Sequence, residues 1–171
     1  GVQTCALPIY LILELLHHHS NRAQVVEHLS EFCCPSGEIS GVTSSFLDDN
    51  GIIQLEHAVG FSTNLTQDSK IHLTDNHPRA LTLRGGKITY LDIQKNLKSN
   101  TKANYLLGLS DYAAAVGVPI SEKRVYGFSF TSPIEEIEKH KDYFECLRSI
   151  LTFWEMMSGD SKSHKIGRAH V

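Results

Sequence analysis

Tyr112 to Met157 reads YAAAVGVPISEKRVYGFSFTSPIEEIEKHKDYFECLRSILTFWEMM, and the fold follows from it. An apolar run, Tyr112 to Pro119, meets a polar break at Ser121-Glu122-Lys123-Arg124. A second run, Val125 to Phe130, alternates large with small: Tyr126, Phe128 and Phe130 against Gly127 and Ser129. That pattern is strand, four-residue turn, strand. Ser132-Pro133-Ile134-Glu135 then opens a helix, with Ser132 as cap, Pro133 at the first helical position and Glu135 completing a capping box. Ile134, Ile137, Phe144, Leu147, Leu151 and Trp154 form the stripe of a helix lying on a sheet. Tyr143, Ile150, Phe153 and Met157 form a second apolar stripe beside it, since consecutive helical residues are about 100° apart.

Upstream, Tyr10 to His19 is apolar and helical, and Ser20 caps a second helix, Asn21 to Phe32, with Val25, Val26, Leu29 and Phe32 inward. Pro35 and Gly37 end it. Glu38 to Leu47 and Ile52 to Phe61 read as paired strands around Asp48-Asp49-Asn50-Gly51, because Asn-Gly tolerates the positive φ of a tight hairpin. Asn64 to Asn76 is polar loop. His77-Pro78 opens a short helix to Arg84, with His77 as cap, and Gly85-Gly86 stops it. Lys87 to Leu91 is a strand, Asp92 to Ser99 a helix, and Asn100 to Ser110 a loop or helix. This order predicts an α+β domain: an antiparallel sheet with the N- and C-terminal helices on one face and residues 64–110 over the other.

Composition narrows the class. Sixteen basic residues against 19 acidic give a net charge of −3, and no basic run marks a nucleic-acid surface. No apolar stretch approaches the roughly 20 residues that span a bilayer. Four cysteines without regular spacing indicate reduced thiols and a cytoplasmic setting. Gly1 to Ile9 (GVQTCALPI) and Ile166 to Val171 (IGRAHV) read as one inverted nucleotide sequence. GGA GTT CAG ACG TGT GCT CTT CCG ATC encodes the first, and ATC GGA AGA GCA CAC GTC, its reverse complement in part, encodes the last. Both resemble a sequencing adapter translated in frame, and they are set aside as tags are. Residues 10–165 are then expected to be an internal, metagenomic fragment.

The hairpin FLDDNGIIQLEHAVGFS, the segment HPRALTLRGGKITYLD, and VGVPISEKRVYGFSF before the closing helix resemble a GAF domain over nearly all of residues 10–158. The resemblance implies a small-molecule-sensing role in a bacterial signalling or transcriptional regulatory protein. Ligand would lie between the sheet and the loops and short helices of residues 64–111. His72 with Asp75, Tyr90, Tyr105, Asp111 and Tyr112 are the candidate contacts, mixing apolar bodies with polar tips. Neither the ligand nor a cofactor is named by these residues. Ligand state would pass through the closing helix, across a hinge at residues 159–165, to a further domain, such as a LuxR-type helix-turn-helix that would supply the contact with DNA. The second stripe (Tyr143, Ile150, Phe153, Met157), together with Leu11 and Leu15, is expected to form a homodimer seam.

Other constellations carry less. His17, His18 and His19 point in different directions on a helix and do not converge on a metal. Cys33-Cys34 makes a strained vicinal disulfide, and a helix end suits them better. A GAF-fold enzyme, such as a relative of free methionine sulfoxide reductases, needs a cysteine on the mid-chain loops, and none falls between Cys34 and Cys146. The domain is therefore read as non-enzymatic. A dimerisation module without ligand is the third reading.

Overall fold

The computed structural model describes residues 21–31, 33–34, 37–39, 41–61, 71–99 and 111–158. In chain order these form α1 (Arg22–Glu31), β1 (Cys33–Cys34), β2 (Gly37–Glu38), β3 (Gly41–Leu47), β4 (Ile52–Val59), β5 (Ile71–His72) and α2 (Pro78–Gly85). There follow β6 (Thr89–Asp92), α3 (Ile93–Ser99), β7 (Ala114–Pro119), β8 (Arg124–Phe130), α4 (Ile134–Glu138) and α5 (Lys141–Ser158). β1 and β2 pair with each other, so Cys33 and Cys34 lie on a short strand rather than at a helix end. The remaining strands make one antiparallel sheet in the order β5-β4-β3-β8-β7-β6.

Strand alternation gives this sheet two unlike faces. On one, Val42, Val116, Val118, Tyr126, Phe128 and Phe130 join Val25, Val26 and Leu29 of α1 and Phe144, Leu147, Leu151 and Trp154 of α5 in the main core. On the other, α2 lays Ala80 and Leu83 against Val125, Ile53 and Ile71 in a smaller cluster. The helices at the two ends of the described chain therefore share one face, and α2 covers the opposite one, as the α+β reading requires.

The closing segment is two helices, not one. Between Ile137 and Phe144 the apolar stripe is interrupted by Lys139, His140 and Lys141. The backbone tightens there, with the His140 N–H bonded to the Ile137 carbonyl and the Tyr143 N–H to that of His140, both at 3.1 Å. Pro133, rather than Ser132, occupies the N-cap of α4 and makes no side-chain capping bond. At α1 the cap is one residue later than Ser20, because the Asn21 Oδ1 accepts from the Gln24 N–H at 2.9 Å.

A buried ionic cluster joins both end helices to the sheet. Arg22 of α1 donates twice to Glu155 of α5, at 2.8 and 2.7 Å, and once to Glu56 of β4, at 3.2 Å. Arg124 of β8 pairs with Glu56 and reaches Glu155 at 3.6 Å. Tyr126, next but one along β8, donates its hydroxyl to Glu155 at 3.3 Å. Burial first, then the Glu155 charge, raises the Tyr126 pKa and keeps that phenol a donor.

α2 is fixed at both ends. The His77 ring accepts the Arg79 N–H at 3.1 Å through Nδ1, and Gly86 closes the helix at φ 62° with its N–H on the Thr82 carbonyl. His77 is buried, and burial first, then the Arg79 charge, lowers its pKa from 6.5 to about 3, against a smaller opposing effect of Asp75. The unfolded chain thus binds a proton at His77 that the folded chain refuses. The resulting stability is complete above pH 6.5 and is lost as the pH falls toward 3, at up to about 1.4 kcal/mol per pH unit. Chemical denaturation between pH 6.5 and 5 should show this slope in the wild type. His77→Asn, which keeps a capping acceptor, should flatten it; equal slopes in the two proteins would contradict the assignment.

Candidate functional site

The small residues of the β7–β8 hairpin stand together. Gly117 of β7 is directly opposite Gly127 of β8, Ala115 is opposite Ser129, and Thr43 of β3 is opposite Gly127 on its other side. Because Tyr126, Phe128 and Phe130 take the α5 face, Gly127 and Ser129 are left to the α2 face. Two neighbouring strands therefore present almost no side-chain volume beneath α2. The result is a partly open cavity of about 60 Å³.

Its floor is Thr43, Ala115, Gly117, Gly127 and Ser129. His77, Arg79 and Thr82 of α2 form the roof, and Thr89 and Leu91 of β6, with Phe61 and Val125, form the walls. The glycines are required by distance. A Cβ on Gly117 would stand 2.5 Å from Thr82 Oγ1 and 2.7 Å from Thr89 Oγ1, and one on Gly127 would stand 2.6 Å from Thr43 Oγ1. Thr82 and Thr89 hydrogen-bond each other at 2.6 Å, and Thr82 donates to the Pro78 carbonyl at 2.7 Å, so α2 and β6 are pinned together at the rim.

Arg79 is the charged member of the lining. Desolvation lowers its pKa to about 10, so it stays cationic at neutral pH, and among the described residues no carboxylate pairs with it. Thr43 and Ser129 are buried, 5% and 4% exposed. Neutral His77 completes the roof. The arrangement is one cation, a neutral imidazole and the hydroxyls of Thr43, Thr82, Thr89 and Ser129 among apolar side chains.

The residues expected as ligand contacts lie elsewhere. His72 and Asp75 do meet, but as a local turn at the sheet edge, where the His72 N–H donates to Asp75 Oδ2 at 2.8 Å. Tyr90 projects to the opposite face of β6 from Thr89 and Leu91. It packs edge-on against Phe144, with ring centroids 6.0 Å apart, under Lys141 Nζ at 5.2 Å. Tyr112 is buried behind the cavity, its hydroxyl on the Gly60 carbonyl and its ring 5.5 Å from that of Phe61, a lining residue. Asp111 is exposed and does not line the cavity, and Tyr105 lies outside the described residues.

Of the expected dimer seam, Tyr143 and Ile150 are buried within the chain at 4% and 8% exposure, because α5 beds a wide apolar face on the sheet. Phe153 and Met157 are exposed, as is Met156. Leu11 and Leu15 lie outside the described residues. No group of three or more His, Cys, Asp or Glu among the described residues is placed to hold a metal ion. No described helix is long and apolar enough to cross a membrane.

No protein-family model matches the chain, and no curated protein matches it. Solved structures do. The GAF domain of an Acinetobacter phosphoenolpyruvate-protein phosphotransferase aligns with a TM-score of 0.63 at 13% identity, covering 95% of this chain and 98% of that one. The GAF domain region of a membrane protein of Geobacter sulfurreducens aligns at 0.59 and 10% identity, over 90% and 94% of the two chains. A type II free methionine-R-sulfoxide reductase of Thermoplasma acidophilum aligns at 0.50 and 16% identity, over 84% and 93%. At these identities the shared property is the fold: the chain has a GAF-like fold.

Proposed function

We propose that this chain is a small-molecule-sensing domain of a bacterial signalling or transcriptional regulatory protein, with its ligand in the cavity beneath α2. The observation that carries this reading is the glycine-paired floor, where two adjacent strands forgo side chains under a helix that brings in an uncompensated cation. β8 supplies the link to the rest of the molecule. Gly127 and Ser129 floor the cavity, while Arg124 and Tyr126 of the same strand hold Glu155 of α5. A ligand that shifts β8 would shift α5, and through it a further domain such as a LuxR-type DNA-binding unit. The domain binds rather than catalyses in this reading. A thiol-based reductase would need a cysteine at the cavity, and Cys146 is exposed on α5, outside the lining.

Ala115→Leu adds volume to the floor without removing a polar group. In a thermal-shift screen of small metabolites, ligands of the cavity should raise the melting temperature of the wild type by several degrees at saturating concentration and leave Ala115→Leu unmoved. Hits of equal size in both proteins would place binding elsewhere and refute the site.

The exposed Phe153 and Met157, with Met156 beside them, are proposed to form the seam of a homodimer together with Leu11 and Leu15. Light scattering should give twice the chain mass for the wild type. Phe153→Glu with Met157→Glu should give a folded monomer, since neither residue contributes to the core. A monomeric wild type would remove the seam.

A further inference from the structure

The cavity's polar groups define what it can take. Resting on the reading of this cavity as a ligand site, we propose that its ligand is a short-chain carboxylate bearing a second oxygen function, a small 2-oxo or hydroxy acid whose carboxylate is held by Arg79. The first support is Arg79 itself. Its guanidinium belongs to a cavity-lining residue with no carboxylate partner among the described residues, and a bound anion would supply the missing counter-charge. Its planar fork matches a carboxylate in two parallel hydrogen bonds.

The second support is independent of charge. Thr43 and Ser129 line the same cavity and are nine-tenths buried or more. Their hydroxyls can donate to or accept from a ligand oxygen placed between the β3 and β8 floor positions. Thr82 and Thr89 do not compete for that role, because their protons are committed to each other and to the Pro78 carbonyl.

Volume and lining restrict the rest. A water requires roughly 10–15 Å³ of cavity measured this way, so the cavity's volume corresponds to roughly four to six non-hydrogen atoms. Leu91, Val125 and Phe61 surround an apolar tail. Inorganic phosphate fits poorly, because a second negative charge would sit against these walls without a partner.

Calorimetric titration with sodium pyruvate and sodium lactate, and with the neutral lactamide, tests this on the whole chain. The wild type should bind at least one of the two acids saturably and at least tenfold more tightly than lactamide. Arg79→Met should weaken acid binding tenfold or more and abolish the preference over the amide, while Arg79→Lys should retain part of the preference. Ser129→Ala should weaken acid binding with the charge preference intact. Equal affinity for lactate and lactamide, both lost in Ala115→Leu, would overturn the carboxylate assignment and leave the cavity as a site for neutral molecules. Acid binding that persists in Arg79→Met, or no saturable acid binding into the tens of millimolar, would also overturn it. Circular dichroism of each variant separates loss of binding from loss of fold.

Discussion

Tyr126, Phe128 and Phe130 all project from the same face of β8, and their burial against α5 constrains the rest of the sheet. Each buried aromatic of this kind contributes about 1.5–3 kcal/mol. A slip of one residue would send all three under α2 and turn Gly127 and Ser129 toward α5, so the register is strongly specified. Once it is set, β7 must place Gly117 against Gly127, and β3 must place Thr43 beside it. One face becomes the main core and the other a floor of small side chains under α2. The cavity is thus a by-product of where the large residues go, and the glycines let Thr43, Thr82 and Thr89 close onto the floor, since a Cβ on either glycine would meet a threonine hydroxyl.

The second constraint is the ionic cluster of Arg22, Glu56, Arg124 and Glu155. Removing one partner of a buried ion pair typically costs about 3–5 kcal/mol, since the other charge is left desolvated and alone. Here four elements share the cluster, so α1, α5, β4 and β8 cannot move independently without breaking it. β8 is the member that also floors the cavity. The spacing along one strand, from Arg124 and Tyr126 to Gly127 and Ser129, is short enough that a displacement at one end must be accommodated at the other.

Local chemistry was the legible part of the sequence. Asp48-Asp49-Asn50-Gly51 forms the expected turn, with Asp48 Oδ1 accepting from the Asn50 and Ile52 N–H groups and Gly51 at φ 77°. The alternation of the β8 stretch and the stripe of α5 were equally plain, as was the His77 cap. Tyr90 faces away from the cavity beneath α2, and every residue of the edge strand β6 is half-buried, so burial offers no alternation to fix its phase. Arg79 was missed because helix-opening signals say where α2 begins, not which side chain of its first turn is desolvated by the sheet. The ionic cluster did leave a trace. Arg22 sits three and four residues before Val25 and Val26, on the inward stripe of α1, and Glu155 adjoins Trp154 on α5. A charge at an inward position on each end helix called for a buried partner.

The claim that one face of the sheet is filled and the other hollow can be measured without knowing the ligand. Crystals of the protein under xenon pressure report apolar empty space directly, because xenon enters such cavities and diffracts strongly. Xenon should appear in the cavity beneath α2, beside Leu91, Val125 and Phe61, and nowhere between α5 and the sheet. Xenon bound only on the α5 face, or none under α2, would contradict the account.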